Sequence, residues 1–303
     1  MANMSLQQEY MQFMRKLREF HFEGFFYYMD FADFAKAYKA GGIDGEERQN
    51  WIALDTQKFV RLRYTPKPDE LYDMEGIKLD EERLPHMAIP VCLVFDSRIA
   101  GTEGVRFADG DSTMRGTVFY KSMEMAKDQI DWRAVFRPAP TNRSEHDSNA
   151  RMRATDLLYP DKIPMSYVEK IIFRTEADRK SALHMLGPDR RYEVNNKKFF
   201  CHKGFTLGPN ERKNIFNYIL DFEVQIRPGV EVELIYRFAS DDMKDYRHEF
   251  TIEYENGDML IDDEGYFKSG VLWHWIGELE YTMPFTLTYK INGHQVIYYR
   301  YGY

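Results

Sequence analysis

Residues 104–165 read GVRFADGDSTMRGTVFYKSMEMAKDQIDWRAVFRPAPTNRSEHDSNARMRATDLLYPDKIPM, and the order of apolar runs and turns within them decides the fold. Val105–Phe107 is a short apolar run closed by Ala108-Asp109-Gly110-Asp111-Ser112, a cluster of turn formers. Gly116–Tyr120 reads as a second short strand and Ser122–Gln129 as a brief helix, after which Trp132, Val135 and Phe136 form an apolar clamp. Pro138 to Asn149 has little to bury and is expected to be an exposed loop, the kind of segment that often carries function. Arg151 and Arg153 follow at a spacing of two, and Asp156 stands just before Leu157-Leu158-Tyr159. From the residues alone, Asp156 is either a solvent-facing carboxylate at the start of a strand or a working group.

Upstream, Leu6, Tyr10, Phe13, Met14 and Leu17 fall on one stripe of a helix spanning residues 5–20. Gly24 to Met29 reads as a buried strand, and Asp33–Ala40 as a helix closed by Gly41-Gly42. Ile52–Leu54 and Phe59–Tyr64 are predicted strands. In the second, alternation puts Arg61 and Arg63 on one face. Thr65–Arg83 is charged and reads as a surface excursion, whereas Ile89–Phe95 is the near-continuous apolar run of a central strand. Val168–Phe173 reads as the last strand of this domain and Glu176–Met185 as its closing helix, and Gly187 to Lys198 as a linker or domain boundary.

Beyond that point the texture changes. Runs around Phe222–Ile226, Val230–Tyr236, Phe250–Tyr254 and Phe285–Ile291 alternate strictly, and Asn256-Gly257 and Asn292-Gly293 suit type I′ hairpin turns. Regular short strands of this kind predict a β-sandwich. The terminal Tyr298, Tyr299, Tyr301 and Tyr303 are either packed strand residues or a displayed aromatic patch.

A chain of 303 residues with 44% hydrophobic content can bury two cores. Its net charge of −8 argues against non-specific polyanion binding, so a nucleic-acid substrate would need a local basic groove. Cys92 and Cys201 lie far apart among apolar neighbours, which fits reduced thiols and not a disulfide framework. With no signal-peptide pattern and no membrane-length apolar run, the expectation is a soluble cytoplasmic protein without membrane partners. Walker-type loops, GxGxxG, HExxH, zinc-spaced Cys/His sets and nucleophile elbows are missing from the sequence, and no metal site is expected.

GVRFADGDSTMRGTVFY, IDWRAVF and RMRATDLLYPDKIPMSYVEKI together resemble the second half of the DarT family of nucleic-acid ADP-ribosyltransferases. That family carries an fsDGNA-like turn, an LDW helix end and a polar loop leading into an R-x-AE-x-LVP-x-x-VP-like strand. The resemblance implies an α+β ADP-ribosyltransferase-like split-sheet domain over residues 1–190, followed by an all-β sandwich domain over 196–303. It puts Asp156 at the family's catalytic glutamate, with Thr155 in the small-residue slot. The strand that helps hold the nicotinamide end of NAD carries a Y-H-x-T-like element in the family; here Tyr28 and Asp30 occupy its His and Thr positions.

NAD is the implied co-substrate, with Tyr28, Asp30, Arg61 and Arg63 as candidate contacts, the two arginines because a pyrophosphate entering a cleft must be neutralised. Arg143, His146, Arg151 and Arg153 are the candidate contacts to the nucleic-acid substrate, implied to be single-stranded. A carboxylate suits the reaction because it can hydrogen-bond the ribose 2″-hydroxyl and stabilise positive charge developing at C1″. Aspartate is one methylene shorter than glutamate, and a misplacement of that order costs about 100-fold in rate. Three readings follow. The chain is a base-modifying toxin or antiphage enzyme controlled by an antitoxin or regulatory protein. Alternatively, it is a silent ADP-ribosyltransferase fold that binds nucleic acid or protein, or it is a transferase acting on RNA or protein.

Overall fold

The computed structural model describes residues 5–45, 58–66, 71, 74–76, 87–138, 149–199, 219–227, 231–238, 247–266, 272–278 and 284–302. Helix α1 (Leu6–Arg18) starts at a capping box. The Ser5 hydroxyl accepts from the Gln8 amide, and the Gln8 side chain accepts from the Ser5 amide. Its stripe buries Phe13, Met14 and Leu17, while Leu6, in the first turn, stays exposed.

Eight strands form one sheet in the order β10-β9-β4-β1-β3-β7-β5-β6. They are β1 (Phe25–Asp30), β3 (Phe59–Arg63), β4 (Pro90–Phe95), β5 (Arg106–Ala108), β6 (Phe119–Tyr120), β7 (Asp156–Pro160), β9 (Val168–Phe173) and β10 (Tyr192–Val194). All six residues of β4 are buried, as its unbroken apolar run predicts for an inner strand. A small two-stranded sheet pairs β2 (Gly42–Asp44) with β8 (Lys162–Pro164). The helices of this region are α2 (Phe31–Lys39), α3 (Met123–Gln129), α4 (Trp132–Val135), α5 (Ala150–Arg153) and α6 (Glu176–Leu186).

The chain divides into two compact units. In the first (Met1–Tyr28, Lys36–Tyr72, Cys92–Ile171), the core is an aromatic cluster. Phe13 meets Phe107 and Trp132 edge-on at 5.3 and 5.7 Å, and Tyr64 meets Phe25 and Trp132 at 5.2 and 5.1 Å. Trp132 opens α4 directly after Asp131, whose carboxylate caps the helix by accepting from the amides of Arg133 and Ala134. Gly24 has φ +140°, and a Cβ there would sit 2.6 Å from Val94 Cγ1, so only glycine lets the backbone pass β4 this closely.

The second unit (Met29–Ala35, Asp73–Val91, Ile172–Tyr303) packs Phe31, Phe34 and Phe173 together and continues into two antiparallel sheets. One has the order β11-β12-β15, from β11 (Ile219–Arg227), β12 (Glu231–Phe238) and β15 (Leu272–Glu278). The other has the order β14-β13-β16-β17, from β13 (Arg247–Tyr254), β14 (Met259–Tyr266), β16 (Phe285–Ile291) and β17 (His294–Tyr301). Every second residue of β16 is buried, as its alternation predicts. The architecture is therefore α+β followed by an all-β, sandwich-like region.

Strand β17 lies at the end of its sheet, where backbone groups lack a strand partner. Helix α6 satisfies two of them: Tyr298 N–H donates to Ser181 Oγ at 3.2 Å and Arg300 N–H to His184 Nδ1 at 3.0 Å. Tyr299 is buried against the His184 ring, so this part of the tyrosine run is packed and not displayed; Tyr303 lies outside the described residues.

Four local expectations change. Residues 187–198 contain strand β10 instead of a plain linker, and Leu71 and Glu75, inside the expected surface excursion, are buried. Arg151 and Arg153 lie on a helical turn, α5, where a spacing of two points side chains apart. Asn292 and Gly293 both have positive φ, as a type I′ turn needs, but of Asn256 and Gly257 only the glycine does. There Gly257 N–H donates to Tyr254 O and Tyr254 N–H to Asp258 O, a type I turn with a glycine bulge, fixed by Asn256 Oδ1 accepting from the Asp258 amide. Ile52–Leu54 lie outside the described residues. Among the described residues no helix is long and apolar enough to cross a membrane, and no three His, Cys, Asp or Glu side chains group to hold a metal.

Candidate active site

Strands β3 and β7 run antiparallel with Arg63 opposite Asp156 and Arg61 opposite Leu158. Alternation along β3 turns both arginines to the face on which Asp156 projects. Arg61 donates from Nε and Nη2 to Asp156 Oδ2 at 3.0 and 2.9 Å, and Arg63 Nη1 lies 3.0 Å from Asp156 Oδ1 while also donating to Ala154 O. The Ser112 amide adds a third donor to Oδ2 at 2.9 Å. Asp156 is fully buried, so the solvent-facing reading of this residue does not hold. A carboxylate this deep is tolerated because two guanidiniums and an amide replace its water.

The turn that supplies Ser112 also supplies a second carboxylate, which the sequence reading left unassigned. Arg61 Nη2 bridges the two, donating to Asp111 Oδ1 at 2.8 Å as well as to Asp156. Asp111 Oδ1 accepts further bonds from the Thr113 amide and hydroxyl, at 2.8 and 2.7 Å. Thr113 two residues after Asp111 is the available sequence signal, since aspartate in a turn accepts from the backbone two residues on. Thr117 Oγ1 donates to Asp111 O at 2.6 Å and braces the same turn. All three side-chain contacts fall on Oδ1; Asp111 Oδ2 accepts no hydrogen bond from a described residue. Partial burial pushes the Asp111 carboxyl up, but the Thr113 hydrogen bonds and the charges of Arg61 and Arg63 outweigh it and hold it below the usual carboxylate value.

Exposure separates the four charged groups. The side chains of Asp156 and Arg63 are 0% and 7% exposed, and those of Arg61 and Asp111 15% and 22%. The cluster is charge-balanced and opens to solvent at its Arg61–Asp111 end. Behind it, Tyr64 is buried with an unpartnered hydroxyl, and its pKa is raised by burial and then by the charge of Asp156.

The other sequence-derived candidates are placed as follows. Arg151 reaches Asp109 Oδ1 at 3.3 Å and Gly116 O at 3.0 Å, tying α5 to the turn on the far side of Asp111. Arg153 lies on α5, and Tyr28 is half-buried on β1. Asp30, in the second unit, accepts from the Ala32 amide with Oδ1 and the Ile89 amide with Oδ2, so its carboxylate caps α2 and holds a neighbouring segment. Arg143 and His146 lie outside the described residues.

Residues 42–200 match the family model described as "ssDNA thymidine ADP-ribosyltransferase, DarT". No curated protein matches the chain. Among solved structures, Thermus sp. 2.9 DarT in complex with NAD+ is similar at 13% identity, covering 58% of this chain and 96% of that one with a TM-score of 0.46. The same protein in complex with ADP-ribosylated ssDNA gives 13% identity, coverages of 58% and 95%, and a TM-score of 0.46. Thermosipho africanus DarTG in complex with ADP-ribose gives 15%, coverages of 59% and 51%, and a TM-score of 0.43. The family model spans more than half of the sequence and includes β3, the Asp111 turn and β7. On that match, the chain belongs to the DarT family.

Proposed function

We propose that this protein is an NAD-dependent mono-ADP-ribosyltransferase that modifies the thymidine base in single-stranded DNA. The match of residues 42–200 to the DarT family model carries this reading. The donor set at β3 and β7 suits NAD: Arg61, reachable at the open end of the cluster, is the cation proposed to meet the pyrophosphate. Arg63 stays behind it and, with Asp156, fixes its direction. Tyr28, in the same unit, is the proposed aromatic partner of the nicotinamide. Asp30 is proposed to support that strand through its amide contacts.

NAD supplies the ADP-ribosyl group and a neutral leaving group, so the protein's own task is to orient the sugar and stabilise charge at C1″. Asp156 is proposed to take the family's acidic position as the anchor of this cluster; it reaches a ribose hydroxyl directly only if Arg61 first turns away. Arg151 and Arg153 on α5, together with Arg143 and His146, are the proposed contacts to the DNA. A toxin or antiphage role in the cytoplasm, held in check by a neutralising protein, is the setting we propose.

The complete burial of Asp156 favours a second reading, a fold kept for binding after the chemistry has been lost. Incubation of purified protein with labelled NAD and, separately, thymidine-containing single-stranded DNA, RNA and protein lysate decides between them. Label on DNA supports the proposal. Label confined to RNA or protein overturns its substrate, and no label on any of them with no NAD-dependent thermal shift leaves the binding reading.

A further inference from the structure

The cluster contains two carboxylates on one guanidinium nitrogen, and they are not equivalent. Asp156 has no exposed surface, and its Oδ2 already accepts from Arg61 Nε, Arg61 Nη2 and the Ser112 amide while Arg63 covers Oδ1. Oδ1 accepts no hydrogen bond from a described residue, but it is buried beneath Arg63, so a sugar hydroxyl does not reach either oxygen. Asp111 is arranged in the opposite way. One oxygen is fixed by Arg61 and by both donors of Thr113, and the other is left open on a side chain that solvent reaches. A carboxylate immobilised through one oxygen with the second free is pre-oriented to accept a hydrogen bond without reorganising.

Resting on the transferase reading above, we infer that Asp111 is a catalytic residue whose Oδ2 contacts the ribose of NAD, and that Asp156 acts as the positioning residue for Arg61, Arg63 and the Ser112 amide. As a base nitrogen bonds to C1″, the bond from C1″ to nicotinamide breaks with its electron pair leaving on nicotinamide, and the nitrogen's proton passes to solvent. Throughout, Asp111 keeps its negative charge, accepts from a ribose hydroxyl and faces the positive charge gathering on the sugar. A carboxylate held below its usual pKa is a weak base and a dependable anion, which fits charge stabilisation and not proton removal.

The test uses the full chain and its Asp111→Asn, Asp111→Glu and Asp156→Asn variants, with labelled NAD and single-stranded DNA, and reads kcat, KM for NAD and thermal midpoint. Asp111→Asn is expected to lower kcat about 100-fold with KM and the thermal midpoint little changed. Asp111→Glu, which keeps the charge and displaces the open oxygen, is expected to fold normally and lose part of kcat. Asp156→Asn is expected to lower the thermal midpoint most. An active parent whose Asp111→Asn and Asp111→Glu variants keep kcat within about threefold overturns the assignment of Asp111 alone. A parent that transfers nothing overturns the transferase reading and this assignment with it.

Discussion

Asp156 and Arg63 stand directly across the β7–β3 pair, with Arg63 Nη1 3.0 Å from Asp156 Oδ1 and both side chains almost wholly buried. Each group offsets part of the cost of burying the other, and this gives a sharp mutational signature. Arg63→Leu strips one cation from a buried carboxylate that keeps its Arg61 contacts, and is expected to cost about 3–5 kcal/mol. Arg63→Leu combined with Asp156→Leu removes both charges and is expected to cost clearly less than the two single changes added together. Urea denaturation of the four proteins measures the cycle. Additive losses would mean that the two residues stabilise the sheet independently.

Tyr64 follows Arg63 on the chain and faces the aromatic cluster of Phe22, Phe25 and Trp132. Its hydroxyl is buried without a hydrogen-bond partner, and the charge of Asp156 adds to burial in opposing its ionisation. Tyr64→Phe keeps the ring contacts and removes the unsatisfied group, so stability is expected to rise by about 1 kcal/mol. Thermal and urea midpoints check it. A loss of more than about 1 kcal/mol would show that the hydroxyl is satisfied after all.

In the second unit, His184 Nδ1 accepts the Arg300 amide, which requires a neutral ring with its proton on Nε2. Burial lowers the His184 pKa below its ordinary 6.5, and the nearby Lys180 charge acts in the same direction. The folded-state pKa thus lies below the unfolded one. The contribution is complete above pH 6.5 and is lost as the pH falls through the folded value. Glu176 and Asp178 on the same helix and Tyr299 and Tyr301 on β17 complete the surroundings, and the two tyrosines stay neutral across this range. Exchange of the Arg300 amide is expected to accelerate more between pH 7 and 5 in the parent than in His184→Gln, once corrected for intrinsic rates. Equal acceleration in both would remove His184 as the cause.

Local periodicity and caps made much of the fold legible. The stripe of α1, the apolar run of β4 and the alternation of β16 each follow from spacing alone, because the forces that shape them act within a few residues. The same alternation put Arg61 and Arg63 on one face. Their partner, however, lies 95 residues on from Arg61, a pairing that only the sheet register sets. That register also decides burial, which is why Asp156 could not be told from a surface carboxylate beforehand. Asp111 was hidden for a related reason: its turn was legible, but the outward direction of one oxygen depends on Arg61 arriving from another strand. At α5 and β10, short polar segments carried too few apolar residues to show a period, and their structure comes from neighbours.

Arg151 pairs with Asp109 at 3.3 Å and donates to Gly116 O, and its side chain is 43% exposed. Exposed pairs of this kind contribute about 1 kcal/mol or less, so Arg151→Ala is expected to leave the fold essentially intact. Its effect belongs to the proposed DNA contact. A guanidinium that neutralises one phosphate of a single strand contributes about −0.7 to the slope of log affinity against log salt. Arg151→Ala is therefore expected to weaken binding of single-stranded oligonucleotides of any sequence and to make that slope shallower by about this amount. Titrations at several salt concentrations read both quantities. Unchanged affinity and slope would assign Arg151 to bracing the Asp109–Gly116 turn alone. A changed sequence preference with an unchanged slope would move it from phosphate to base.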